Sequence, residues 1–121
     1  MSKLKPSNLI YHMCRREEWR CAKVVNIYSG SSQDIADGFI HFSTAEQVAA
    51  SADKHRAGQV GLVLLTVDVN RLGNAVEWEL AREGQLFPHL YGPLPVYAVV
   101  NVSDLPLGPD CRHVFPAGFR R

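Results

Sequence analysis

Gly38-Phe39-Ile40-His41-Phe42-Ser43-Thr44-Ala45-Glu46-Gln47 is the stretch whose reading decides the fold. Four of its first five residues are apolar or aromatic, and the alternation of a strand puts Phe39 and His41 on one face, Ile40 and Phe42 on the other. Ser43 stands three residues before Glu46, a capping-box spacing in which a hydroxyl accepts one helix amide and a carboxylate reaches back to another. Ala45, Val48, Ala49 and Ala52 continue at helical spacing, so a helix is expected from Thr44 to Arg56, stopping near Gly58. A buried strand running straight into a capped helix holds the His41 ring beside free helix amides, an arrangement suited to an anion or a sugar-phosphate. The competing reading makes His41 a core histidine with a satisfied hydrogen bond.

Upstream of this stretch, Tyr28 to Asp37, with Gly30, three serines and two aspartates, reads as a loop. Arg15 to Val24 reads as a helix with Trp19 and Ala22 on its buried face, and Leu9 to Met13 as a strand. Met1 to Ser7 reads as a polar leader. Downstream, Val60 to Val67 is apolar and β-branched, as expected of a central strand buried on both faces. Asp68 to Asn74 is a turn region. Val76-Glu77-Trp78-Glu79-Leu80 alternates, so Trp78 should bury one side and Glu79 should point from the other. Arg82 to Gln85 is a turn. Leu86 to Pro95 carries Pro88, Pro93 and Pro95, which predicts a stiff extended segment that is neither helix nor interior strand, with His89 and Tyr91 on one side. Val96 to Val102 reads as the last strand, and Leu107 to Arg121 as a surface tail. The grouping of strands and helices predicts an α+β fold with mixed or antiparallel sheets: one domain over residues 8–105, a leader over 1–7 and a tail over 106–121.

Composition bounds the function classes. The 121 residues are 46% hydrophobic and 21% charged, with a net charge of +1, which provides no electrostatic footprint for nucleic acid or an anionic membrane. The apolar run from Val60 to Leu65 is too short to span a bilayer, and no apolar stretch follows the first lysines as in a secretory signal. Cys14, Cys21 and Cys111 form no C-x-x-C pair, so neither a disulfide framework nor a zinc knuckle is expected, and a reducing cytoplasm is the default location. No G-x-G-x-x-G or Walker pattern occurs, and no ligand spacing links His41, His55 and His89 into a metal site.

Three motifs in order, Gly38 to Gln47, Trp78-Glu79, and Phe87-Pro88-His89-Leu90-Tyr91-Gly92-Pro93, resemble the bacterial domain of unknown function 952 family. Ile10-Tyr11-His12 with Trp19 and Ala22 also fits, so the likeness covers Asn8 to Leu105. The resemblance implies membership of the ADP-ribosyltransferase-like superfamily: two small sheets around a cleft with N-terminal helices, and NAD as a substrate. By that resemblance Glu79 stabilises the oxocarbenium-like transition state, His41 positions a ribose and Tyr91 stacks on nicotinamide.

Taken from the residues themselves, the candidate constellation is His41, Glu77 or Glu79, His89 and Tyr91. An imidazole and a carboxylate are an acid–base pair, and a carboxylate also stabilises positive charge at a glycosidic carbon. Glu77 and Glu79 could equally form the solvated face of their strand. His89 and Tyr91, on a proline-stiffened segment, and Ser43 and Thr44, at the expected helix start, are candidate substrate-binding groups. His41, Glu79, His89 and Tyr91 are expected to converge on one concave site, whereas His12, His55 and His113 are expected to be surface or structural. The expected function is binding of NAD, ADP-ribose or a related nucleotide, with transfer or hydrolysis at the ribose anomeric carbon. The alternatives are a non-catalytic nucleotide-binding module and an unrelated His/Glu hydrolase.

Overall fold

Strand β4 (Leu62–Asp68) is buried along its whole length, as expected of a central strand. Val63, Leu65 and Val67 enter one apolar cluster with Ile10, Trp19 and Leu90, while Leu62 and Leu64 enter a second with Tyr11, Val48 and Leu105. The computed structural model describes residues 8–119, so the expected leader, Met1 to Ser7, lies outside the described residues. β4 is flanked by β1 (Leu9–Arg15) and β8 (Val99–Leu105) in a three-stranded antiparallel sheet. The last strand therefore begins three residues later than the sequence suggested, after a 3-10 turn at Val96–Ala98.

A second antiparallel sheet has the order β3-β6-β5, built from Ile40–His41, Leu86–Leu90 and Val76–Leu80. A two-residue ladder joins β2 (Ile27–Tyr28) to β7 (Leu94–Pro95). The protein is thus a small α+β fold of antiparallel sheets with few helices. Among the described residues no helix is long and apolar enough to cross a membrane.

Pro88 overturns one expectation, because β6 is the interior strand of its sheet. Ala81 donates to the Gln85 carbonyl and Tyr91 to the Ala75 carbonyl, so hydrogen-bonded pairs alternate from there and Trp78–Pro88 is a non-bonded pair. The imino nitrogen of Pro88 faces β3, where its carbonyl already accepts from Phe42 and β3 has ended at His41. The bond that Pro88 cannot donate is the return bond to Phe42, so its cost is confined to the end of the two-residue β3 ladder. Trp78 overturns another: it is 42% exposed, because β5 is an edge strand and the core lies under Ile40 and Leu90 instead.

The helices follow the sequence in part. α1 (Arg16–Val25) buries Trp19 and Ala22, with Glu18 accepting from the Arg15 amide. The expected loop before β3 holds a further helix, α2 (Ser32–Asp37), opened by a capping box between Ser31 and Asp34 and closed by Gly38 at φ 87°. α3 spans Val48–His55 and starts later than expected, with Ser43 outside it. The Ser43 amide and carbonyl form an antiparallel bridge with Tyr11, and its buried hydroxyl meets the Ser51 hydroxyl at 2.9 Å. The turn into α3 is held one residue further on, where the Gln47 side chain accepts from the Thr44 amide. The segment expected as a surface tail also packs: Leu107 bridges to the buried His113, and Phe115 and Phe119 cover the second cluster.

Candidate functional site

The polar chemistry concentrates on one face of the β3-β6-β5 sheet. His89 is registered opposite His41 on one side and Glu77 on the other, and Glu79 lies opposite Phe87, so period-two alternation gathers these side chains on a common face. The ring centroids of His41 and His89 are 5.6 Å apart. Phe39 lies against both, stacked on His89 at 4.1 Å and tilted to His41 at 4.6 Å, and it reaches Tyr91 at 5.3 Å.

Glu79 is held by two donors on a single oxygen. His89 Nδ1–H donates to Oε1 at 2.7 Å and the Tyr91 hydroxyl donates to the same atom at 2.8 Å. Among the described residues no hydrogen bond to Oε2 occurs, and the Glu79 side chain is 40% exposed. The hydrogen bond from His89, then that from Tyr91, holds the Glu79 carboxyl below its ordinary range, so it is ionised at neutral pH. The same bond pushes the Tyr91 phenol up.

His41 is fixed from the other side by α2. Asp34 is buried, and its two oxygens divide their work. Oδ2 accepts from the Ser31 amide at 2.8 Å, completing the cap of α2, and Oδ1 accepts from both the His41 amide at 3.0 Å and His41 Nδ1 at 2.6 Å. His41 Nε2 pairs with Asp37 at 3.0 Å. The Asp34 bond, with the Asp37 charge adding to it, raises the His41 pKa. Burial alone would raise the Asp34 carboxyl, yet the hydrogen bond from His41, the nearby His12 and the two backbone donors bring it down to about 2. Gly30 permits this packing: its φ is +98°, and a Cβ there would stand 2.7 Å from the Asp34 Cβ.

Behind His41 lies His12, fully enclosed. Its Nδ1 is 2.6 Å from the His41 carbonyl, which can only accept, so Nδ1 carries the proton. Burial lowers the His12 pKa, which makes the ring neutral and Nε2 an acceptor for the Tyr28 hydroxyl at 2.7 Å.

The structure therefore brings together His41, Glu79, His89 and Tyr91. It does not bring Ser43, whose hydroxyl is spent on Ser51, nor Thr44, whose amide is taken by Gln47. The expected helix N-terminus beside His41 is absent, because α3 begins seven residues after it. Asp34, Asp37, Phe39 and the buried His12 were not among the expected site residues. Two surface grooves lie elsewhere, one of about 550 Å³ along Gly108 to Phe119 and one of about 480 Å³ between α1 and Ser29.

Fold and site together define a small antiparallel α+β protein whose second sheet carries two carboxylate–imidazole units joined by an aromatic ring. The DUF952 family, described as a protein of unknown function, matches residues 13–102, and the chain belongs to that family. It is similar to the crystal structure of protein CC0527 from Caulobacter crescentus, with 45% identity over 88% of this chain and 93% of that chain and a TM-score of 0.85. The solution NMR structure of CC0527 is similar at 46% identity, over 87% and 90% of the two chains, with a TM-score of 0.78. No functionally curated protein matches the chain.

Proposed function

We propose that the β3-β6-β5 face binds the ribosyl-nicotinamide end of NAD, or a related nucleotide, and that Glu79 assists cleavage at the ribose anomeric carbon in the manner of ADP-ribosyltransferase-like proteins. The observation that carries this reading is the Glu79 carboxylate, immobilised through Oε1 by His89 and Tyr91 while Oε2 has no partner among the described residues. An oriented, ionised carboxylate is the group needed where positive charge develops. Glu79, with the exposed Glu77 on the same face, makes this surface acidic, which suits the cationic pyridinium riboside better than the diphosphate. Phe39 adds a ring face for a cationic heterocycle.

In the step, the bond from the anomeric carbon to the pyridinium nitrogen breaks and its electron pair leaves with nicotinamide. Glu79 Oε2 faces the resulting oxocarbenium, water or an acceptor hydroxyl adds to the carbon, and its proton passes to the Glu79 carboxylate and then to solvent. A binding module without chemistry is the second reading, favoured by one observation: both ring nitrogens of His41 already have carboxylate partners.

The test pairs a thermal melt with a product assay. NAD at millimolar concentration should raise the melting temperature and release nicotinamide, and Glu79→Gln should keep the shift but lose the release. A shift without release selects the binding module. No shift with NAD, ADP-ribose or AMP refutes a nucleotide site.

A further inference from the structure

Among the open strand edges, β5 is the most regular. Its neighbour β6 pairs with it over five consecutive residues without a bulge. The other edges are managed: β1 is bridged to Ser43, β8 runs beside a register shift at Thr66/Val67, and β3 is two residues long. Natural edges are blunted by proline, by charged side chains or by a bulge; β5 has no proline and no bulge, and its only charges are Glu77 and Glu79, which repel an acidic strand and attract a basic one. The alternation established at Ala81–Gln85 and Ala75–Tyr91 turns the N–H and C=O groups of Val76, Trp78 and Leu80 away from β6. Those backbone groups have no strand partner among the described residues.

The side chains along this edge are two-sided. Trp78, Leu80 and the cross-strand neighbour Leu86 are 42%, 72% and 51% exposed on one face. Glu77 and Glu79 stand on the other. We infer that β5 takes up an extended peptide as a fourth strand of this sheet, one that alternates basic and apolar side chains, the basic ones opposite Glu77 and Glu79 and an apolar one opposite Trp78.

A second copy of the chain is the poorer occupant. Antiparallel two-fold pairing of β5 centred on Trp78 sets Glu77 across from Glu79 of the other copy, twice. Centring on Glu77 or Glu79 sets that glutamate against itself. Directly opposed like charges destabilise a ladder, so each of these registers is penalised. The same two carboxylates favour a basic strand. The inference does not depend on the nucleotide reading.

The test titrates isotope-labelled protein with a synthetic peptide of alternating Lys and Val. Amide shifts should concentrate in residues 76–80, Trp78 included, and weaken as salt rises. The same peptide with Glu for Lys, or with alternate amides N-methylated to block the ladder, should leave those signals in place. Glu77→Lys should weaken binding by roughly tenfold, since it replaces an attraction by a repulsion. Trp78→Thr, on a strand position where β-branched residues are accepted, should weaken binding with the melt unchanged. The inference is overturned by any of three results: no response at millimolar peptide, shifts centred away from β5, or equal response to the acidic peptide. A concentration-dependent dimer that Glu77→Lys strengthens, by turning the contact with Glu79 of the other copy into an attraction, would likewise replace it with self-association.

Discussion

Removing the Asp34 carboxylate should be the most damaging polar substitution in the fold. Asp34 is 3% exposed, and its side chain accepts from the Ser31 amide, the His41 amide and the His41 ring. Asp34→Ala strands two backbone donors, at about 1–3 kcal/mol for each that stays dry, and removes the main partner of the His41 imidazole. The His41 side chain is 40% exposed, so water screens the lost pairing and it adds about 1 kcal/mol; the stranded donors dominate, and their cost is a large part of the roughly 5–15 kcal/mol that holds a domain of this size together. Asp34→Asn keeps one acceptor and should cost less, about 2 kcal/mol, because its amide group opposes a donor on one side. Urea unfolding at pH 7 measures both, as a shift in midpoint at unchanged slope. The acid limb provides an independent reading. A carboxyl brought from an ordinary 3.8 down to about 2 contributes about 2 kcal/mol, at roughly 1.4 kcal/mol per pH unit. Its folded pKa is depressed, so that contribution is complete above pH 4 and is lost as pH falls towards 2. Asp34→Ala should flatten this limb. A loss below about 1 kcal/mol at pH 7 would refute the assignment of Asp34 as the common anchor of α2 and His41.

Other perturbations separate the parts of the structure. The His41 pKa is raised, so its pairing with Asp34 and Asp37 stabilises fully below its ordinary value and is lost as pH rises through the raised one. Urea midpoints compared with His41→Gln across pH 6–9 should converge on the alkaline side. Gly30→Ala should cost about 1–3 kcal/mol in a thermal melt, since a left-handed φ and a 2.7 Å approach to Asp34 both oppose a methyl group. Ser43→Ala should cost about 1 kcal/mol through the lost Ser51 contact, and its effect should shrink in a Ser51→Ala background, which a helix-cap role would not do. Burial pushes the Cys14 thiol up to about 12, so native protein at pH 8 should show Cys21 and Cys111 reacting quickly with a thiol reagent and Cys14 only on unfolding.

What the sequence made legible was periodicity. β4, β1 and the Trp19 face of α1 each carry their burial in a pattern of their own residues. The failures have specific causes. Pro88 argued against an interior strand because sequence shows that an amide is missing but not which neighbour it would have served. Trp78 argued for burial because its size is visible and the edge position of β5 is not. α2 is only six residues long and has no apolar stripe, so the serine-rich loop reading prevailed over the Ser31-x-x-Asp34 signature and the terminating Gly38.

The site was half legible for a related reason. It consists of two units, each local in sequence: Asp34 with His41, seven residues apart, and Glu79 with His89 and Tyr91, ten and twelve apart within one hairpin. The hairpin unit could be anticipated, because alternation on β5 and β6 fixes which side chains share a face. The α2 unit could not, because its carboxylate stands in a helix that the periodicity does not announce. The junction between them consists of two paired positions, Ile40–Leu90 and His41–His89, together with the Phe39 ring. A two-pair ladder contributes little by itself, so the relative placement of the halves rests on Phe39 filling the space between the imidazoles and on Asp34 fixing the entry of β3. The residues that assemble the site are therefore not those that give it its chemistry. Phe39 looks like any apolar residue of a buried strand, and Asp34 like any aspartate of a polar loop. Only the three-dimensional register makes one the joint between two imidazoles and the other the anchor of one of them.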